Sequence, residues 1–232
     1  MIVSIDTWLR NWRNIVSVDY VRDRLDLKFV SSVIRQSVFE SRHPMYPWIT
    51  ADMINILENL LKPGDVGFEF GSGNSTIWLA KRTKRIFSVE HNRDWYEKVT
   101  ASLKEYGLAD KAVVYFVKGV DDIANTGEKK YVEPILKIKD GTLDYCFVDG
   151  IFRDECILKA IGKLKKNGIL IVDNVDNYFP KNKISISVRY KRDNQSKTVS
   201  KAKMRRIYKI LEGWRCIWTS SGVQDTALWI KP

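Results

Sequence analysis

Histidine is almost missing from this chain: His43 and His91 are the only two in 232 residues. Proton transfer at neutral pH therefore has few imidazoles to draw on. Cysteine is nearly as sparse. Cys146, Cys156 and Cys216 stand far apart and form no C-x-x-C pair, which argues against a disulfide framework or a zinc knuckle. That usage fits a reducing compartment, so a cytoplasmic location is expected. Six Pro and 13 Gly are too few for a collagen-like or Pro-rich polymer. No apolar run approaches the ~18 residues that a membrane-spanning helix needs. The opening MIVSIDTWLRNWRN lacks a basic start followed by an apolar stretch, so no secretory signal is expected. What is abundant is core material. At 44% hydrophobic and 12% aromatic the chain is not a disordered one, and its length favours one domain with additions.

The net charge of +11 is concentrated. Residues 181–210 hold eleven basic side chains and one acid, Asp193, so the other 202 residues together carry only +1. Such a segment is either a solvated insertion or a surface for an anionic partner, whether phosphate, nucleotide-sugar, acidic glycan or nucleic acid. Only Tyr190 and Tyr208 interrupt it, which is little aromatic surface for stacking bases.

Periodicity orders the rest. Residues 1–40 read as helical, with apolar stations from Trp8, Leu9 and Trp12 to Val33, Ile34 and Val38. The stretch 41–48 contains Pro44 and Pro47 and is a broken connector. An apolar stripe from Met53 to Leu61 predicts a helix with Thr50 as its N-cap, ended by Pro63-Gly64-Asp65. Strands are then expected at 66–70, 85–90, 112–117, 143–148 and 168–172, with helices at 75–82, 92–106 and 154–166 between them. Residues 121–141 read as a polar insertion without assigned structure. The basic segment ends as a helix near 201–212, and two strands, 214–219 and 226–230, close the chain around Ser220-Ser-Gly222. Alternating strands and helices build a mainly parallel sheet, and two consecutive strands across a short turn build an antiparallel hairpin. The fold class is therefore α/β: a seven-stranded, mostly parallel sheet with a C-terminal antiparallel hairpin. Residues 1–46 form an N-terminal helical extension, and 47–232 form the main domain, with 181–210 as a basic insertion.

Three strand ends carry polar motifs where open α/β sheets bind ligands. The first is Glu69-Phe-Gly71-Ser72-Gly73-Asn74-Ser75-Thr76, between a strand and a helix. Glycines there admit close backbone approach, and the helix start presents N–H groups to a carboxylate or phosphate. The second is Glu90-His91-Asn92, where an acid at the end of the next strand suits two ribose hydroxyls. The alternative is a capping role for Glu90. The third is a pair of apolar strands ending in Asp149-Gly150 and in Asp173-Asn174. Three oxygen donors there suit Mg²⁺ or another hard cation, although Asp and Asn are also normal turn residues.

With these motifs in place, residues 47–232 resemble the class I S-adenosylmethionine-dependent methyltransferases, whose sheet is Rossmann-like. The stretch PWIT…FEFGSGNSTIWLAK…FSVEHNRDWYEKV is similar to bacterial methyltransferases associated with sugar or polysaccharide pathways. The resemblance implies S-adenosylmethionine as cofactor. It implies that Glu69, Gly71, Ser72, Gly73, Asn74 and Ser75 shape the methionine pocket, that Glu90 holds the ribose, and that His91 lies beside the adenine. Asp121 or Asp122 would approach the adenine amino group, and Asp149 would border both cofactor and acceptor. The third glycine of the family's motif is Ser75 here, which suits a backbone that is already helical. Asp149, Asp173 and Asn174 also resemble the metal ligands of cation-dependent O-methyltransferases, which implies Mg²⁺. That family's catalytic Lys, three residues after the first Asp, is Phe152 here, with Arg153 beside it.

Rival functions are weighed on the same residues. A dinucleotide-binding dehydrogenase needs G-x-G-x-x-G, and the sixth position here is Thr76. Amino-methyltransferases acting on bases carry Asn/Asp-Pro-Pro-aromatic after the fourth strand, where this chain has Asp149-Gly150-Ile151-Phe152. The expectation is O-methylation of a small or sugar-like, anionic acceptor, with Asp149 as the catalytic residue and His43 as a second base candidate. An RNA or DNA acceptor served by the basic segment is the alternative, and a non-catalytic nucleotide- or anion-binding module is the third.

Overall fold

The computed structural model describes residues 27–120, 126–180 and 199–232. Helix α1 (Leu27–Arg42) leads into the connector, and α2 (Ala51–Leu60) follows. Strands and helices then alternate: β1 (Val66–Phe70), α3 (Asn74–Arg82), β2 (Arg85–Glu90), α4 (Arg93–Glu105), β3 (Ala112–Phe116), α5 (Gly127–Leu136), β4 (Leu143–Val148), α6 (Arg153–Lys163) and β5 (Leu164–Asp173). A short 3-10 turn at Val175–Asn177, helix α7 (Lys201–Leu211) and strands β6 (Arg215–Ser220) and β7 (Asp225–Ile230) follow. Of the expected N-terminal extension, residues 1–26 lie outside the described residues, as do 121–125 and 181–198. Among the described residues no helix is long and apolar enough to cross a membrane.

The strand order is β3-β2-β1-β4-β5-β7-β6. Five strands run parallel, and β7 inserts antiparallel between β5 and β6. β1 lies beside both β2 and β4, with Phe70 opposite Val89 on one side and Val148 on the other. The chain thus reverses its direction of winding at β1, which opens a crevice at the carboxyl ends of β1 and β4.

Alternation along the strands separates two cores. Phe68, Phe70, Cys146 and Val148 bury on one face with Tyr131 and Ile135 of α5, Ile157 of α6 and Ile207 of α7. Tyr145 and Phe147 bury on the other with Met53, Ile54 and Leu57 of α2, Trp78 of α3 and Leu103 of α4. Each buried large apolar side chain contributes roughly 1.5–3 kcal/mol. Cys146 is a core residue, and burial pushes its thiol up. Local chemistry marks the helix starts: Thr50 Oγ1 accepts from Met53 N at 3.4 Å, and Asn92 Oδ1 accepts from Trp95 N at 3.0 Å.

Two expectations change. The stretch 121–141 is more than a polar insertion, because Gly127–Leu136 forms α5 and buries Tyr131, Val132 and Ile135. Charged neighbours on every side mask this narrow apolar stripe, and Pro134 reads as a breaker although it lies near the helix end, where few backbone bonds are lost. The helix expected to reach 166 stops at Lys163, and β5 starts at Leu164. Lys165 and Lys166 look helical by composition. The pairing of Leu143 with Leu164 and the irregular step to Ile169, with Asn167 at φ 62, place them in the strand instead.

The sheet has no room above Gly67: a Cβ there would lie 1.9 Å from Tyr145 Cζ, in a ring that is itself fully buried. Gly64, in the turn before β1, faces open space. Chemical denaturation of Gly67→Ala is expected to show a loss of about 1–3 kcal/mol from overpacking. Gly64→Ala is expected to stay within about 0.5 kcal/mol of the wild type.

Candidate active site

At the end of β1 the backbone turns at Gly71, whose φ is 93. A Cβ at Gly71 would lie 2.8 Å from Gly150 N and 2.9 Å from Gly150 Cα, so both conformation and space require glycine. Gly71 N donates to Val89 O at 2.9 Å, which fastens the turn to β2. Gly73 has extended backbone at φ −176 and caps α3. Ser75 already lies in the first turn of α3 with no positive φ, so the family's third glycine is unnecessary here. Gly73 N donates to Thr76 Oγ1 at 2.9 Å, and Thr76 Oγ1 donates to Glu69 Oε2 at 2.5 Å. Ser88 Oγ donates to the same oxygen at 2.7 Å.

Glu69 is fully buried, and its Oε1 has no hydrogen-bond partner among the described residues. Burial pushes its carboxyl up to about 7, against the pull of the Ser75, Thr76 and Ser88 hydroxyls and with a further push from Asp149. Glu90 is treated differently. Ser72 N donates to its Oε2 at 3.0 Å, while His91 N and Asn92 N donate to Oε1 at 2.8 and 2.7 Å. Burial raises Glu90, but the hydrogen bonds from His91 and Asn92 outweigh it, and the carboxyl lies below its usual value. The glycine turn, the end of β2 and Glu90 therefore form one unit, with His91 Nδ1 3.2 Å from Glu90 Oε1. Above it, Asn74 Nδ2 donates to Pro44 O at 2.9 Å, so the connector is tied to the glycine turn.

The ends of β4 and β5 meet through Arg153, the first residue of α6. Its Nε donates to Gly150 O at 2.9 Å, its Nη2 to Asp149 O at 2.8 Å and Asp149 Oδ1 at 2.9 Å, and its Nη1 to Asp173 O. Asn174 Oδ1 lies 3.3 Å from Nη2. The Asp173 carboxylate is engaged elsewhere, accepting from Thr226 Oγ1 at 2.6 Å. Burial, reinforced by the nearby Asp149, pushes Asp173 well above the usual carboxylate range. The expected metal set of Asp149, Asp173 and Asn174 therefore does not fit Mg²⁺. The Asp149 carboxylate and the Asn174 amide oxygen hold a guanidinium, and the Asp173 carboxyl binds a threonine. Among the described residues no group of three or more His, Cys, Asp or Glu is placed to hold a metal ion.

Other expected residues are scattered. His43 follows α1 and packs beside two rings, 4.7 Å from Phe39 and 4.7 Å from Tyr46. Asp121 and Asp122 lie outside the described residues. Of the basic segment, α7 carries Lys201, Lys203, Arg205, Arg206 and Lys209. Lys203 pairs with Glu128 at 2.5 Å and Glu155 at 2.9 Å, whereas the other four are exposed. Two residues join the site that the sequence did not place there. Arg153 is one: the sequence set it beside the Phe152 position and four residues after Asp149, but gave it no role. Tyr131 is the other. It is fully buried, its ring 5.9 Å from Phe70 and 5.9 Å from His91, and a Cβ on Gly150 would lie 2.0 Å from its hydroxyl.

No protein-family model and no curated protein matches the sequence. Solved structures do. The O-methyltransferase TomG of Streptomyces achromogenes, involved in tomaymycin synthesis and solved with S-adenosylmethionine, is 19% identical. That match covers 93% of this chain and 95% of TomG at a TM-score of 0.53. Cofactor-bound Rv0187 from MTB is 18% identical, covering 97% of this chain and 95% of its own at 0.54. An O-methyltransferase of Bacillus cereus solved with S-adenosylhomocysteine is 16% identical, covering 92% and 96% at 0.51. With the strand order and the terminal hairpin, these likenesses establish the fold as that of the class I S-adenosylmethionine-dependent methyltransferases.

Proposed function

We propose that this chain is an S-adenosylmethionine-dependent O-methyltransferase acting on a small or sugar-like, anionic acceptor. The observation that carries the reading is Glu90. Its carboxylate is held in a charged state by three backbone N–H groups, directly beside Gly71, where no Cβ fits. An acceptor-only carboxylate so fixed suits two vicinal hydroxyls of a ribose. The start of α3, at Asn74 and Ser75, offers N–H groups to a carboxylate such as that of methionine. The partnerless Oε1 of Glu69 suits an ammonium group near the same turn. His91 borders the adenine side in this reading. These residues fit the cofactor, which when bound supplies an electrophilic methyl group on a sulfonium.

The remaining work is positioning and desolvation. Asp149 stands at the end of β4 with one oxygen fixed by Arg153 and its side chain 33% exposed. In this reading it accepts the proton of an acceptor hydroxyl, and His43, held by its ring contacts, serves as a covering residue. The connector is tied to the same turn through Asn74. The exposed Lys201, Arg205, Arg206 and Lys209 of α7 suit an anionic group on the acceptor. They also favour the second reading, an RNA acceptor, whose affinity would be dominated by phosphate contacts.

Titration calorimetry with S-adenosylhomocysteine is expected to show micromolar binding. Glu90→Gln is expected to weaken it about tenfold to hundredfold, because charge-assisted hydrogen bonds carry ~1.5–3 kcal/mol. No binding by a folded wild type would remove the cofactor reading. A second outcome concerns pH. The folded protein keeps the Glu69 proton up to about 7, whereas the usual value is 4.5, so the folded state binds more protons in that window. The Glu69 contribution to stability is therefore full below about 4.5 and falls as pH rises to about 7. Urea unfolding is expected to show this decline, and Glu69→Gln should flatten it. Arg205→Glu with Arg206→Glu should leave S-adenosylhomocysteine affinity unchanged. If α7 meets RNA, the same pair should reduce the salt dependence of binding to an RNA oligonucleotide, read by anisotropy.

A further inference from the structure

The carboxyl ends of β4 and β5 converge on a positive charge that belongs to the chain. The Arg153 side chain is 5% exposed, and its donors reach the backbone carbonyls of Asp149, Gly150 and Asp173 as well as Asp149 Oδ1 and Asn174 Oδ1. All of these acceptors lie on the two strand ends, and no other described cation reaches them. The backbone is bent to make this possible. Phe152, immediately before Arg153, has φ 49, and Asn174 has φ 50, both left-handed and neither a glycine. The Tyr178 ring lies 5.5 Å from the guanidinium carbon and closes the remaining side. Asn174 is anchored in turn by Gln224 at 3.3 Å, and Gln224 by Trp48 O at 2.9 Å, so the hairpin and the connector both support the arrangement.

A divalent cation on the same oxygens would need ligands at about 2.0–2.1 Å. The Asp149 and Asn174 oxygens lie 2.9 and 3.3 Å from Arg153 Nη2, so such an ion would stand against the guanidinium. Two positive charges held at that distance repel one another. A planar guanidinium can serve several carbonyls at once, which a lysine ammonium, a compact point charge, cannot reproduce in the same geometry.

We propose that Arg153 is a built-in cation that replaces a divalent metal at the ends of β4 and β5, and that it acts as the positioning residue for Asp149. Asp149 Oδ1 is spent on Arg153, and Oδ2 is left for the acceptor. The acceptor is therefore an alcohol or phenol engaged through one hydroxyl, not a vicinal pair of oxygens that chelates a metal. The acceptor class rests on the methyl-transfer reading of this site; the exclusion of the metal by Arg153 does not.

The test uses the full chain and Mn²⁺, followed by electron paramagnetic resonance of the free ion. The wild type is expected to take up no Mn²⁺ at sites tighter than millimolar. Arg153→Met frees the oxygens and is expected to gain Mn²⁺ affinity at least tenfold, a gain that Asp149→Asn in the same variant abolishes. Arg153→Lys keeps a charge in place and is expected to gain none, while melting at a lower temperature. Loss of packing alone would lower melting in both variants without creating a metal site. Sub-millimolar uptake by the wild type that Asp149→Asn removes would overturn the proposal. So would a folded Arg153→Met protein that gains nothing. The wild-type arm decides the matter even if Arg153→Met does not fold. Titration with S-adenosylhomocysteine in parallel separates the two readings: absent cofactor binding with the Mn²⁺ pattern intact removes methyl transfer and leaves the cation assignment standing.

Discussion

Gly71 and Gly150 approach so closely that a Cβ on the first would touch the backbone of the second at 2.8 Å. The contact follows from topology. β1 and β4 are neighbours although far apart in sequence, and their outgoing turns leave the sheet side by side at the switch point. No side chain on Gly71 fits between the two turns. The same crowding fixes α5, since the Tyr131 hydroxyl occupies the space that a side chain on Gly150 would take. Three elements thus share one constraint, and the polar groups around it have correspondingly little freedom.

The buried charges near that contact are handled in three ways. Glu90 is kept ionised by backbone donors, Glu69 is held up by burial with one oxygen unpartnered, and Asp149 is matched by Arg153. Buried carboxylates without such arrangements would cost several kcal/mol each. Asp173 joins a further chain of hydroxyls, in which Thr226 donates to it and Thr50 Oγ1 lies 2.5 Å from Thr219 Oγ1. Thr219 Oγ1 in turn donates to Thr226 O at 3.0 Å. This chain runs from the N-cap of α2 through the hairpin to the end of β5. The hairpin therefore does more than close the sheet edge. It joins the segment before the sheet to the strand ends that carry the site.

Much of this architecture is written locally. Short apolar runs and the turn residues between them marked all seven strands, and the Gly71–Ser75 motif with Glu90 marked one half of the candidate site, because both are short-range patterns. α5 was hidden because its buried apolar side chains, Tyr131, Val132 and Ile135, are few, Lys129, Lys130 and Glu133 around them read as a solvated stretch, and the buried Pro134 reads as a breaker. The end of α6 was displaced because Lys165 and Lys166 have helix-forming composition and only the pairing of β5 with β4 draws their neighbours into a strand.

By itself the sequence determined the order and type of the strands, the location of the glycine turn, the acid that follows β2, and the concentration of positive charge beyond residue 181. Tertiary structure alone decided what the acids at the ends of β4 and β5 do. In the sequence Asp149, Asp173 and Asn174 are three oxygen donors awaiting a cation. In the fold that cation is Arg153, which follows Asp149 by one helical turn and reaches Asp173 and Asn174 only because β4 and β5 lie side by side. Spacing along the chain reveals which groups are available to each other within an element. Which charge neutralises which across elements is settled only when burial removes water as the competing partner.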